Sequence, residues 1–175
     1  MAGNKSYWCG GLVLAVLMSG SVMADTALNF KGNLIIPNCV INNNNPVSVD
    51  FGDVEIQTLD VMNTVYHARD FNIPMHCPYT VGTPKLTLTA TAIHDAAQGV
   101  IQTSKYAEGL VIYLRQKGGN TPVPLGSATA VTSSVTGSGT DRTLTLNAGM
   151  GQFKGMQTLK PGPFTASASL QVRYE

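Results

Sequence analysis

The chain has 175 residues, of which 43% are hydrophobic and only 12% are charged, and its formal net charge is +1. This length fits one domain, and the balanced charge without a cluster of lysine and arginine argues against nucleic acid as a partner. Sparse charge together with abundant threonine, serine, asparagine, glycine and valine favours a β-protein outside the cytoplasm.

The first 24 residues have the pattern of a secretory signal peptide. Lys5 precedes the apolar run CGGLVLAVLMSGSVMA, which ends in small residues, so we expect cleavage after Ala24. The run is too short and too interrupted by glycine for a good membrane span, and a retained anchor is the alternative. Cleavage would leave residues 25–175 as one exported domain with room for a core.

The mature chain opens on a segment that alternates in polarity. Thr26, Leu28, Phe30 and Gly32 would share one face of a strand, because every second side chain points to the same side. This period of two predicts an amphipathic strand ahead of the first cysteine of the mature chain.

Two cysteines remain after cleavage, because Cys9 belongs to the signal. Cys39 and Cys77 in an exported chain predict one disulfide. The loop that it closes would add roughly 4 kcal/mol of stability by the chain-entropy argument. A redox or metal-binding pair is the alternative, which the lack of C-x-x-C spacing disfavours.

The other strand candidates are separated by turn-forming residues, and no stretch has the sustained 3.6-residue period of an amphipathic helix. The segment at 109–116 is nearly all apolar, which predicts a central strand covered on both faces, and the Gly/Ser/Thr-rich segment at 126–141 predicts an exposed loop with a short edge strand. Several strands with regular turns and one disulfide predict an immunoglobulin-like β-sandwich. In chain order the candidates are residues 47–54, 70–77, 85–91, 109–116, 142–148, 151–159 and 164–174.

The last strand has the clearest alternation in the chain. Ala168, Leu170, Val172 and Tyr174 would face a core, while polar residues lie between them. Amphipathic strands thus stand at both ends of the mature chain. From the pattern alone, they are equally well the first and last strands of a complete sandwich.

Motifs for catalysis or for binding a cofactor are missing from the sequence. His67, His76 and His94 have no metal-ligand spacing, and the carboxylates are scattered rather than paired for acid–base work. The letters DFGD at 50–53 and GSGTD at 137–141 lack the context that a kinase motif or a phosphate loop needs. We therefore expect neither an enzyme nor a bound metal or cofactor.

Several segments, taken in order, resemble the subunits of chaperone–usher pili of Gram-negative bacteria. They are the signal, the first alternating strand, GNLIIPNCVI around Cys39, VSVDFGDV, MHCP at Cys77 and the final strand with Tyr174. Gly162 matches a glycine that the family has at this place. The resemblance spans the mature chain and is nearest to the minor tip-fibrillum subunits of P-type pili, through the G-N-x-x-I-P-x-C-x-I-N-N stretch at 32–43.

The resemblance implies an incomplete sandwich that lacks its seventh strand. Residues 25–34 would form an N-terminal donor-strand extension, and residues 35–175 would form the pilin domain. The final strand would border an open hydrophobic groove and be captured by a chaperone, with a role for the carboxylate of Glu175. The residues implied for this strand are Gly162, Ala168, Leu170, Val172, Tyr174 and Glu175.

The resemblance also implies the partners and the location. A periplasmic chaperone would fill the groove first, and at the outer-membrane usher the N-terminal strand of a neighbouring subunit would replace it. Thr26, Leu28, Phe30 and Gly32 would be the groove-facing residues of that donor strand, although Thr26 stands where a larger apolar residue would fit, which leaves the register open. The protein would pass through the periplasm into an extracellular pilus, or fimbrium, that serves cell adhesion.

The expected function is that of a structural minor pilin, in the tip fibrillum or as an adaptor. A major rod pilin is the alternative within the family, and a secreted carbohydrate-binding β-sandwich is the alternative outside it. A binding module predicts a cluster of exposed aromatic residues, whereas the tyrosines at 66, 79, 106 and 113 are dispersed. A two-domain adhesin would need a longer chain.

Overall fold

A computed structural model describes residues 26–175, so the signal predicted at residues 1–24 lies outside the described residues. The chain divides after Asn33 into two units, one residue before the predicted end of the N-terminal extension. Residues 26–33 are exposed and form no strand, contrary to the sequence prediction. A strand needs a neighbour to hydrogen-bond its backbone, and alternation alone does not supply one.

Residues 34–175 fold into ten strands that are joined by loops and five single turns of 3₁₀-helix. The strands are β1 (Val40–Ile41), β2 (Tyr66–His76), β3 (Pro84–Thr89), β4 (Ile93–Asp95), β5 (Val100–Gln102), β6 (Leu110–Gln116), β7 (Ala128–Ala130), β8 (Val135–Ser138), β9 (Asp141–Gln152) and β10 (Ser169–Tyr174). The 3₁₀ turns are Asn42–Asn44, Ile56–Thr58, Tyr106–Glu108, Thr132–Ser134 and Met156–Thr158. No helix in this part of the chain has the length and apolar character that a membrane span requires.

The strands form two antiparallel sheets. The larger has the order β1-β2-β9-β6-β5-β4, with β8 added to β9, and the smaller has the order β10-β3-β7. Within the described residues, β10 is therefore an edge strand with β3 as its neighbour. The predicted central position of residues 109–116 is confirmed, because β6 lies between β9 and β5.

One hydrophobic core fills the space between the sheets. It includes Leu86 and Leu88 of β3 and Leu144 and Leu146 of β9, all nearly inaccessible to solvent. In each strand these two leucines are two residues apart, as expected for side chains on one face. The result is the all-β, immunoglobulin-like sandwich that the strand pattern predicts.

The disulfide between Cys39 and Cys77 is confirmed. Its two Cα atoms are 4.1 Å apart, and both cysteines are buried in the core. The bond joins the residue before β1 to the residue after β2. It therefore holds the chain at Cys39 against the end of β2.

Four predicted strands differ from the structure. Residues 47–54 keep alternating burial at Val47, Val49 and Phe51 but form no strand. Residues 142–148 and 151–152 belong to the one strand β9, which the chain leaves before the 3₁₀ turn at 156–158. The last strand begins at Ser169 rather than at Phe164, because the segment before it has no ladder with a neighbour.

The outer face of the larger sheet carries a second, small apolar cluster. Val111 and Tyr113 of β6 and Val100 of β5 are buried there, and Tyr106 and Phe153 pack against them. The ring of His94 lies 4.5 Å from that of Phe153, measured between centroids. This cluster lies on the opposite side of the sheet from the main core.

Candidate functional site

The hydrogen bonds at the end of β10 establish which backbone groups face its open edge. Thr83 and Glu175 exchange two bonds, of 2.7 and 3.1 Å, just beyond the paired part of β3 and β10. In an antiparallel ladder, residues alternate between bonding to the partner and facing away from it. Leu170, Val172 and Tyr174 therefore direct their N–H and C=O groups to the edge away from β3.

This edge is occupied at one point. The N–H of Cys39 donates to the carbonyl oxygen of Val172 at 2.8 Å. Among the described residues, the outward backbone groups of Leu170 bond to no other backbone group. An unpaired edge of this kind is a template on which another strand can pair.

An apolar groove of about 840 Å³ lies beside this open edge. One wall is the loop from Asn44 to Phe51, and the other runs from Phe164 to Gln171. The floor comes from the core faces of β2, β3, β5, β6 and β9. Its residues are Phe71, Leu88, Ile101, Ile112, Leu114, Leu146 and Ala148.

A second cavity of about 870 Å³ continues the groove past Phe51 and Phe164. Both cavities are lined by Val49, Phe51 and Phe164. The rings of Phe51 and Phe164 face each other across the two walls, with centroids 6.3 Å apart. The groove is thus crossed by an aromatic pair.

Arg69 holds the wall that carries Phe51. Its guanidinium donates to the carbonyl oxygen of Asp50 at 2.6 Å and to that of Phe51 at 3.3 Å. The same group lies 5.3 Å from the centre of the Phe51 ring. The pairing of β2 with β9 shifts between Tyr66 and Arg69, and His67 has φ of 50° in this bulge. A bulge of this kind re-aims the residues that follow it.

The segment that leads into the opposite wall is held by Glu108. Its carboxylate accepts a hydrogen bond of 2.8 Å from the N–H of Lys160 and one of 3.2 Å from Nζ of Lys105. The N–H of Lys160, helped by Lys105, lowers the pKa of this carboxyl below its usual value. Gly162 follows with φ of 128°, a conformation that favours glycine, and the chain turns there into the wall.

The structure brings together most of the residues predicted on the C-terminal strand. Val172 and Tyr174 are buried and Leu170 is half-buried on the same face, next to the groove. Gly162 lines the second cavity. Ala168 differs from the prediction, because it is exposed and precedes the strand, although it still lines the groove.

Glu175 lies at the end of β10 in an ionic cluster. Its carboxylate is 2.8 Å from Nζ of Lys85 and also pairs with Arg173. The hydrogen bond from Lys85, with a further contribution from Arg173, lowers the pKa of Glu175. The cluster joins β10 to β3 on the solvent side.

The predicted donor residues form an exposed segment. Leu28 and Phe30 are 78% and 91% exposed, and Thr26 and Gly32 are exposed as well. Two large apolar side chains in contact with water are unfavourable unless something covers them. Their role as groove-filling residues remains a prediction.

The three histidines make ordinary polar contacts. His67 bonds to the hydroxyl of Thr58 at 2.6 Å, and His76 bonds to the carboxylate of Asp141 at 2.8 Å. Residues 26–175 contain no group of three or more side chains that would suit a metal ion. The sequence reasoning missed the roles of Phe51 and Arg69, although the alternation of residues 47–54 already places Phe51 on an inward face.

Comparisons with known proteins agree with this geometry. A model of the fimbrial protein family matches residues 28–175. Fimbrial protein PrsE of Escherichia coli is 39% identical over 164 residues, which cover 91% of each chain. Fimbrial adapter PapF of Escherichia coli is 30% identical over 160 residues, which cover 91% of this chain and 93% of PapF.

Two solved structures share the fold. The rod subunit PapA of the P pilus has a TM-score of 0.58 at 20% identity, covering 85% of this chain and all of that one. The adaptor subunit PapF of the P pilus has a TM-score of 0.54 at 26% identity, covering 82% of this chain and all of that one. With its sandwich, its open edge and these relatives, the chain belongs to the fimbrial protein family.

Proposed function

We propose that the protein is a minor structural subunit of a P-type pilus that polymerises by donor-strand exchange. The unpaired edge of β10 beside an apolar groove carries this proposal. The relatives support the minor role over that of a rod subunit, because they include a minor fimbrial protein, PrsF, and a fimbrial adapter, PapF. As a fimbrial protein, the subunit is exported through the periplasm and becomes part of a pilus on the cell surface.

The acceptor site works by adding a strand to a sheet. An incoming strand would bond to the outward backbone groups around Leu170, and every second side chain would enter the groove. The edge is already bonded at Val172 by Cys39, so the free stretch runs from Leu170 back toward Phe164. The ladder would supply affinity, and the groove floor would supply specificity.

The donor strand comes from the N-terminal extension of another subunit. In this chain, residues 25–34 are the corresponding segment, and Leu28 and Phe30 would fill the groove of the next subunit. Each large apolar side chain gains roughly 1.5–3 kcal/mol when it is fully buried. Since donor and acceptor are different surfaces of one chain, the contact is heterologous and builds an open filament.

Before assembly, the groove needs a temporary occupant. A periplasmic chaperone would supply a strand, and an outer-membrane usher would provide the place where a neighbouring subunit replaces it. The open edge and exposed apolar groove support this step, because such a surface promotes aggregation in a free subunit. The proposed role is structural rather than catalytic.

Co-expression with a pilus chaperone tests the proposal. The mature chain is produced in the periplasm with and without the chaperone, and soluble protein is quantified. We expect a one-to-one complex with the chaperone and little soluble protein without it. A peptide of residues 25–34 should release the chaperone, and the same peptide with Phe30→Ala should release it more weakly. Asn29→Ala, on the other face, is the matched control. A stable, chaperone-independent monomer would contradict the proposal.

A further inference from the structure

We propose that Val61, Met62 and Met156 form a docking surface, the end patch, for residues 34–36 of a second copy of this chain. The end patch lies beyond one end of the groove and would bind the residues that follow the donor strand. This inference rests on the proposed function, since it concerns what the neighbouring subunit contacts once its donor strand lies in the groove.

The end patch consists of apolar side chains on two loops. Val61 and Met62 lie between the 3₁₀ turn at 56–58 and β2 and are 55% and 54% exposed, and Met156, in the last 3₁₀ turn, is 40% exposed. Methionine side chains are flexible and adapt to the shape of a partner. Apolar side chains that are exposed together are typical of an interaction surface.

The buried side chain of Gln152 holds the two loops at one end of the sandwich. Its amide nitrogen donates to the carbonyl oxygen of Leu59 at 3.3 Å, and its backbone carbonyl accepts a bond of 2.7 Å from the N–H of Asn63. Its side-chain oxygen accepts a bond from the N–H of Gly155. One residue thus connects both loops, so the three exposed side chains belong to the same end of the molecule.

The end patch adjoins the second cavity of the groove. Leu59 and Leu159 line that cavity, and they lie two residues before Val61 and three residues after Met156. The N–H of Leu159 donates to the carbonyl oxygen of Met156 at 3.0 Å. The end patch therefore begins where the groove ends.

The other end of the groove is closed. Asn38 and Cys39 line it there, and the N–H of Cys39 is bonded to the carbonyl oxygen of Val172. A donor strand has one free terminus, whereas its other end continues at residue 34 into a folded unit. Only the free terminus fits at the closed end. The strand therefore runs antiparallel to β10 and leaves the groove through the second cavity.

The length of the donor strand brings its end to the end patch. In an antiparallel pair, each later residue of one strand lies beside an earlier residue of the other. With Thr26 beside Leu170, Leu34 comes to the level of Gly162, which lines the second cavity. Residues 34–36 of the incoming subunit therefore emerge next to the end patch.

The chain itself supplies an apolar occupant. Leu34 is fully exposed, and Ile35 and Ile36 are 75% and 44% exposed. They follow the donor strand directly, so the strand carries them to the subunit that accepts it. Because the strand tethers them there, their effective concentration at the end patch is high, and a small apolar contact suffices to add affinity.

The experiment is a competition between two donor peptides of equal length. The full protein in its complex with a pilus chaperone is incubated with equal amounts of peptide 25–38 and of the same peptide carrying Leu34→Ser, Ile35→Ser and Ile36→Ser. Once the ratio is constant, free peptide is removed and the bound ratio is measured by mass spectrometry. Each protein variant carries its own reference, because a folding defect lowers the uptake of both peptides.

We expect wild type to prefer the natural peptide at least about tenfold, since only that peptide buries apolar side chains on the end patch. Val61→Ser, Met62→Ser and Met156→Ser should each lower the preference about twofold or more, and the triple variant should abolish it. Val81→Ser is the matched control. Val81 is 68% exposed and lies two residues before Thr83, which bonds to the end of β10 away from the end patch. Its preference should equal that of wild type.

Equal uptake of the two peptides by wild type would overturn the end patch and leave the proposed function intact. A full preference in the triple variant would overturn it as well. Loss of the chaperone complex in the triple variant, with the preference unchanged, would assign this surface to the chaperone instead. Uptake of neither peptide by wild type would overturn donor-strand exchange, and the end patch with it.

Discussion

The amide of Cys39 lies 2.8 Å from the carbonyl oxygen of Val172, at the edge of β10 that faces away from β3. The disulfided residue thus closes one end of an otherwise open edge. On the groove side of this bond, the outward N–H and C=O of Leu170 bond to no other backbone group within residues 26–175, and its side chain borders the groove. This single bond divides β10 into a part that belongs to the folded subunit and a part that is available to a partner.

A charge at Leu170 should block the acceptor site. The side chain is half-buried beside the groove, and an unpaired carboxylate there would be desolvated when a donor strand covers it. We expect Leu170→Asp to reduce recovery of the chaperone complex and uptake of the donor peptide at least about tenfold, the effect of 1.4 kcal/mol. Thr89→Asp places the same charge on the exposed face of β3 and should leave both unchanged. Equal losses in the two variants would contradict the assignment.

Removal of the disulfide should weaken the fold strongly. The bond spans a sequence separation of 38 residues, for which the loss of chain entropy in the unfolded state is worth about 4 kcal/mol. We expect Cys39→Ala with Cys77→Ala to lower the urea midpoint of the protein complemented by the donor peptide. The double variant avoids a free thiol. An unchanged midpoint would show that core packing alone fixes the residues around Cys39.

The pH dependence of the groove wall should follow Glu108. Its pKa is lowered in the folded protein by the N–H of Lys160 and by Lys105, so the ionised form is the stabilising one. Its contribution is therefore present above the ordinary carboxyl pKa of about 4.3 and is lost as the pH falls through the lower folded value. We expect Glu108→Gln to destabilise the complemented protein at neutral pH, with the difference disappearing in acid. Glu55→Gln, at an exposed glutamate, is the control in the same pH series of urea midpoints.

A methyl group at Gly151 should disturb β9. An added Cβ would overlap the carbonyl oxygen of Thr64 and lie 2.8 Å from Cε2 of Tyr113. Since Thr64 is backbone, the chain has to shift, and overpacking of this kind costs about 1–3 kcal/mol. We expect Gly151→Ala to lower the urea midpoint of the complemented protein accordingly. A Cβ at Gly32 meets nothing within 4 Å, so Gly32→Ala should leave the midpoint unchanged.

The sequence predicts those strands that both pair with a neighbouring strand and bury one face. Leu86 and Leu88 alternate with threonines because one face of β3 is buried. Val172 and Tyr174 of β10 alternate with other polar residues for the same reason. The alternation at residues 164–168 is misleading for the opposite reason. The alternation shows that one face of this segment suits burial. A strand also needs a neighbouring strand to bond its backbone, and on the groove side the described residues provide none.

The contacts across the groove depend on register and are not visible in local pattern. Arg69 reaches Asp50 and Phe51 only because the bulge near His67 shifts the pairing of β2 with β9. Likewise, the crowding of Gly151 by Thr64 arises from two segments far apart in sequence. The resemblance to pilus subunits located the groove strand, whereas the contacts of Arg69 with the opposite wall required the tertiary structure.

The disulfide has a mechanical consequence for a filament joined through donor strands. Tension applied to the N-terminal extension enters the sandwich at Cys39, and the sulfur–sulfur bond carries it directly to Cys77. The residues between the two cysteines are bypassed by this covalent path. Without the bond, unfolding of the 38-residue segment under tension would lengthen each subunit by up to about 130 Å, at roughly 3.4 Å per extended residue. The bond therefore limits how far a subunit under tension can extend, while its hydrogen-bonded ladders resist separation of the strands.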